Sequence, residues 1–194
     1  MEKRSFASGR LTAQLLNVMY DPLAYAAPSA RSAVPRTGPI AWQNRKLIEH
    51  HGLACRIDFA PEVEHAWWIE HWPSLRRMAF LIGCRCLRDT LVAERHLLHL
   101  DPAARRFTML PVVAPSTSAG FLPGQPIDDL ILHAQGFRLI DTLSARLPTA
   151  LRQRLALLFH DVGRASHEGA AHEASALYPM LISTASRHAQ AYPY

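Results

Sequence analysis

The apolar residues of this chain recur at helical intervals. Leu11, Leu15, Leu16 and Met19 share one face, which predicts a helix over Leu11 to Met19. It stops at Tyr20-Asp21-Pro22, because the residue before a proline avoids the α region. Ala26 to Pro39 is rich in Ala, Ser and Pro and reads as a surface connection. Ile40 to His51 resumes the helical pattern and closes at Gly52, the position past the C-cap where glycine is favoured. Cys55 to Glu62 reads as a short extended piece. After Pro73 at a first helical position, Leu75, Met78, Ala79, Ile82 and Cys86 mark a buried stripe, with Arg76, Arg77, Arg85 and Arg88 on the surface. Leu91, Leu97, Leu98 and Leu100 extend a helix from Thr90 to Leu100, which Asp101-Pro102 interrupts.

Residues 106–113 are apolar and β-branched enough to be either a short strand or a further helical turn. Residues 114–125 form the clearest loop and divide a front part, about 1–113, from a C-terminal helical part, 126–194. Pro126 opens the next helix with Asp128 and Asp129 behind it, acids placed where the helix dipole favours negative charge. Leu130, Leu132, Phe137, Leu139, Ile140 and Leu143 supply its apolar surface as far as Pro148. A second helix runs from Pro148 to about His160, with Leu151, Leu155, Leu158 and Phe159 inward and Arg152 and Arg154 outward. The short connection makes the two an antiparallel hairpin. Gly163 to Gly169 reads as a turn, and Ala170 to Gln190 as a last helix that Pro179 kinks. The expectation is a mainly α, single compact domain over 1–194.

Composition supports a packed core: 49% of the 194 residues are hydrophobic and only 19% charged, against a usual charged share of about 25%. The net charge of +5 comes from 21 basic and 16 acidic residues. The basic residues are nearly all Arg and are scattered, which points to Arg replacing Lys throughout and not to a phosphate-binding patch, so no nucleic-acid partner is expected. Cys55, Cys84 and Cys86 are odd in number and form no CxxC pair, the pattern of buried reduced thiols. No stretch approaches the roughly 18 apolar residues of a membrane span, and none follows the charged start as a signal peptide would, so a cytoplasmic protein without membrane insertion is expected.

Two clusters carry candidate function. Trp67, Trp68 and Trp72 concentrate large apolar area just before Arg76 and Arg77; the group is either a core edge or a partner-binding hot spot. Leu157-Leu158-Phe159-His160-Asp161-Val162-Gly163-Arg164 resembles the signature of HD-domain phosphohydrolases, with His133 and His172 placed as flanking metal ligands. That family needs a further Asp downstream, and none follows Asp161. The plainer reading is a helix C-terminus whose dipole favours His160. There is no P-loop, no GxGxxG after a strand and no GxSxG elbow, so no cofactor is expected.

The order of segments points elsewhere. Leu75-Arg76-Arg77-Met78-Ala79-Phe80-Leu81-Ile82-Gly83-Cys84-Arg85-Cys86-Leu87, then Ala134-Gln135-Gly136-Phe137-Arg138-Leu139, then Leu147-Pro148 and Arg154-Leu155-Ala156-Leu157 resemble, in order, the motif helices of the SctK accessory proteins of type III secretion sorting platforms. Asp21-Pro22-Leu23-Ala24-Tyr25 is similar to that family's Pro-x-x-Tyr start. The tail from Ala165 onward departs from the pattern. The resemblance implies a non-catalytic cytoplasmic adaptor between the cytoplasmic domain of the inner-membrane ring and the pod, or C-ring, component, recruited peripherally to the inner membrane. It brings no catalytic residues, so Trp67, Trp68, Trp72, Arg76 and Arg77 stand as partner-binding candidates on composition.

Overall fold

A computed structural model describes residues 2–59, 63–115, 127–162 and 178–193. In chain order its helices are α1 (Glu2–Tyr20), α2 (Pro28–Arg31), α3 (Ile40–His50), α4 (Val63–His71), α5 (Leu75–Cys86), α6 (Arg88–Ala93), α7 (Pro102–Thr108), α8 (Asp129–Ser144), α9 (Thr149–Leu158) and α10 (Tyr178–Ala191). Tight 3-10 turns occupy Pro22–Ala24, Trp72–Ser74 and His96–His99. No strand occurs among the described residues, and the fold is all α.

Several sequence expectations change in detail. The choice left open over 106–113 resolves as helix through Thr108 followed by irregular backbone. Asp101 caps α7, its Oδ1 accepting from the amides of Ala103 and Ala104 at 3.0 and 2.9 Å, so Asp101-Pro102 ends one element and starts the next. The helix expected over Thr90 to Leu100 stops at Ala93, because Arg95 adopts a left-handed conformation with φ of 60°. Residues 163–177, which hold the expected turn and the start of the last helix, lie outside the described residues. Pro179 falls in the first turn of the described part of α10.

The described residues group into two compact units, one within 1–73 and 144–161, the other within 74–143 and 162–194. In the first unit α1 packs on α3, α4 and α9. Leu15, Val18 and Met19 point inward, while Leu16 is 44% exposed. The Ala26 to Pro39 segment is not merely a surface connection. Ala26, Ala30 and Val34 pack into a cluster with Leu47, Ile48, Leu53 and Leu157, small side chains that let α2 approach closely enough for the Ala27 amide to reach the Leu157 carbonyl at 3.2 Å. Asn44 ties α3 to the turn after α1, its Nδ2 donating to Asp21 Oδ1 at 2.7 Å and its Oδ1 accepting from the Leu23 amide at 2.8 Å.

Arg154, expected to point outward, is 0% exposed. Its Nε and Nη2 donate to the Met19 carbonyl at 3.1 and 2.7 Å, Nη2 also to Ala54 at 2.8 Å, and Nη1 to Ala150 at 2.9 Å. Met19 lies in the last turn of α1, where carbonyls lack amide partners and the helix dipole is negative. A guanidinium therefore fits here with carbonyls as its hydrogen-bond partners. The Tyr25 Oη donates nearby to the Val18 carbonyl at 2.7 Å. Burial holds that phenol protonated well above its usual range.

The second unit is built around α5, which α7 and α10 pack against. Ten of its twelve residues are buried, Arg77 among them, so the stripe read from sequence is nearly a full circumference. A Cβ at Gly83 would overlap the carbonyl oxygen of Leu132 on α8, and one at Gly136 would overlap that of Ala79 on α5. The two glycines face each other's helix reciprocally, four residues from the carbonyl each helix offers, and bring the backbones into direct contact. On α8, Leu132, Phe137, Leu139 and Ile140 are buried as expected, and Leu130 is exposed.

Candidate interaction surface

The tryptophan group lies mostly inside the first unit. Trp72 is 3% exposed and meets Tyr25 edge-on at 5.6 Å between ring centroids. Trp68 is buried as well. Trp67 is half-buried, edge-on to Trp68 at 5.3 Å and stacked on His71 at 4.6 Å. These contacts make the group part of the packing, with Trp67 as the member that offers surface.

The arginines that follow belong to the second unit. Arg76 is half-buried. Arg77, expected on the surface, is 5% exposed: its Nη2 donates to Asp101 Oδ1 at 2.8 Å and its guanidinium lies 5.3 Å over the Phe80 ring. Arg77 holds the Asp101 carboxyl below its ordinary range, aided by the α7 amides. This pair, Arg77 buried and the Asp101 side chain 40% exposed, lines a cleft of ≈ 620 Å³ together with Pro102, Arg106, Tyr192 and Pro193. One wall is braced from α10: His188 Nε2 donates to the Ala103 carbonyl at 2.9 Å, and its ring lies against Phe107 at 5.4 Å and Tyr192 at 5.0 Å. Among these residues the sequence marks Arg77 alone as a partner-binding candidate, and Asp101-Pro102 only as a helix break. The lining comes from three stretches of chain, around 77, 101–106 and 191–193, and no pattern marks their convergence.

The metal-ligand candidates do not gather. His133 sits in the second unit, its Nδ1 donating to the Asp129 carbonyl at 2.6 Å and its ring against Phe80. His160 sits in the first, its Nδ1 bonded to Ser29 Oγ at 3.0 Å and its ring 5.4 Å from His51. Asp161 is half-buried, and His172 lies outside the described residues. Among the described residues no three His, Cys, Asp or Glu side chains form a group able to hold a metal. Cys84 and Cys86 are buried, and burial pushes the Cys86 thiol up to about 12, which leaves it protonated and inert. Cys55 departs from the expectation of buried thiols, since it lies exposed on the irregular segment after Gly52.

Comparison with known proteins decides the family. The profile of a bacterial type III secretion apparatus protein family, OrgA_MxiK, matches residues 15–191. The chain belongs to that family. It is similar to the oxygen-regulated invasion protein OrgA of Salmonella typhimurium strains 14028s, SL1344 and LT2, each 26% identical over 155 residues, covering 73% of this chain and 72% of the relative. No solved structure gives a significant match. The motif order read from the sequence led to the same family. Tyr25, Gly83, Gly136 and Arg154, which stand in those motifs, are joints of the fold. These motif residues thus mark packing within this chain.

Proposed function

We propose that the chain is a non-catalytic cytoplasmic adaptor of the type III secretion sorting platform, linking the cytoplasmic domain of the inner-membrane ring to the pod, or C-ring, component. The observation that carries this reading is the family match across residues 15–191, which makes the chain a type III secretion apparatus protein. The interior placement of the motif residues supports it, because an adaptor needs a stable body that presents surfaces. No helix among the described residues is long and apolar enough to cross a membrane, which agrees with peripheral recruitment. The scattered Arg residues provide cations for acidic patches on partners.

The test is assembly from purified parts. The chain is mixed with the ring's cytoplasmic domain and the pod protein, singly and together, and complexes are weighed by light scattering after size exclusion. A ternary complex that neither partner pair forms without the chain is the expected result. Binding to neither component, or stoichiometric metal lost on His160→Ala, would overturn the adaptor reading and move the case to a metal-dependent hydrolase.

A further inference from the structure

We infer that the cleft between α7 and the end of α10 receives a short segment of a partner protein bearing a carboxylate beside an apolar side chain, and this inference rests on the adaptor reading above. The cleft volume of ≈ 620 Å³ suits a few side chains and not a flat protein face. Charge selects the class of occupant. The acid in the lining, Asp101, already accepts from Arg77 Nη2 and from two backbone amides through one oxygen. Arg77 spends its charge on that acid. Arg106 is exposed at the wall and pairs with no acidic side chain among the described residues, so the lining sets two guanidiniums, Arg77 and Arg106, against the one carboxylate of Asp101 and is positive on balance. A guanidinium offers a carboxylate two parallel donors.

The remaining walls select what accompanies the carboxylate. Pro102, Pro193 and the half-exposed Tyr192 present apolar faces. Because His188 braces Tyr192 against α7, the walls are set before anything binds, which lowers the ordering cost of association. Nucleic acid is a poorer fit, since it is bound by a track of cations along successive phosphates, and this cleft offers a single reachable one.

The experiment measures, by titration calorimetry, binding of the purified full chain to the purified ring cytoplasmic domain and, separately, to the purified pod protein. Variants are Arg106→Glu, Arg106→Lys and Tyr192→Ala, each checked by thermal unfolding. Arg106→Glu and Tyr192→Ala are expected to weaken one partner by about tenfold or more and leave the other within about twofold. Arg106→Lys, which keeps the charge but not the two parallel donors, is expected to weaken that partner less than Arg106→Glu does and so separates charge from folding. Added salt should weaken the wild type more than Arg106→Glu. If the wild type binds and all three variants bind both partners alike, the cleft inference is wrong while the adaptor stands. If the wild type binds neither partner, both fall.

Discussion

In the first unit three chain segments converge on the Arg154 guanidinium, which donates to the carbonyls of Met19, Ala54 and Ala150. In the second, α5 and α8 meet at Gly83 and Gly136 with no side chain between their backbones. The first joint is polar and directional: it satisfies carbonyls at a helix end and depends on one long side chain threading between elements. The second depends on the absence of side chains, and gives up about 1 kcal/mol of helix propensity per glycine to gain closeness. The two joints respond to opposite kinds of change, removal of atoms in one and addition in the other.

The chain also separates them spectroscopically. All four tryptophans, Trp42, Trp67, Trp68 and Trp72, belong to the first unit, and the two buried thiols, Cys84 and Cys86, to the second. Tryptophan fluorescence and thiol trapping in a Cys55→Ser background therefore report one unit each.

The largest effect is expected from Arg154→Met. It keeps an unbranched stem but strands the Met19 and Ala54 carbonyls in a dry site, a loss of about 3–5 kcal/mol. The urea midpoint of the fluorescence transition should fall well ahead of the thiol transition. Arg154→Lys recovers part of it, because one ammonium does not span the same carbonyls. Equal displacement of both probes would mean that the units unfold as one cooperative body, and the contrast drawn above would fail as thermodynamics while standing as geometry.

Next in size come Gly83→Ala and Gly136→Ala. Each gains helix propensity, yet each Cβ overlaps a carbonyl oxygen of the facing helix, which must retreat. Overpacking against backbone is expected to outweigh the propensity gain and leave a net loss of about 2–3 kcal/mol. Here the thiols should become reactive at lower urea, with the fluorescence midpoint nearly unchanged. A stabilised Gly136→Ala protein would show that the helices have room to separate and that the close crossing is incidental.

Why these joints escaped part of the sequence reading follows from the same chemistry. Helices are local, and apolar spacing placed α3, α5, α8 and α9 within a few residues of their observed bounds. Arg154 falls on α9 beside Leu151, Leu155 and Leu158, and a charged residue there is ordinarily assigned to solvent; only the arrangement of carbonyls supplied by α1 and the Ala54 segment reverses that. Gly83 and Gly136 were visible as motif residues, whereas their facing carbonyls belong to another helix. The left-handed Arg95 had no glycine or asparagine to announce it. The cleft near α7 joins residues from three stretches of chain, of which only Arg77 stood out as a partner-binding candidate. Local order was legible in the residues; pairings across the chain were not.

The smallest expected effect, and the finest test of the comparison, is pH dependence. In the first unit His51 has its pKa lowered, chiefly by burial and further by His50 and His160, against the opposing hydrogen bond to the Ala30 carbonyl. The unfolded chain then binds the proton first as pH falls below the ordinary histidine value of about 6.5, so stability drops until the folded pKa is passed. In the second unit Asp101 has its pKa lowered, first by the Arg77 hydrogen bond. Its contribution is present above the ordinary carboxylate value of about 3.9 and is lost as pH falls through the folded value. Between about pH 7.5 and 5.5 the fluorescence midpoint should therefore fall in the wild type and fall less in His51→Gln. Asp101→Asn should loosen thiol protection at about pH 6 and cease to differ from the wild type well below pH 4. An undiminished acid response in His51→Gln would remove that imidazole from the account.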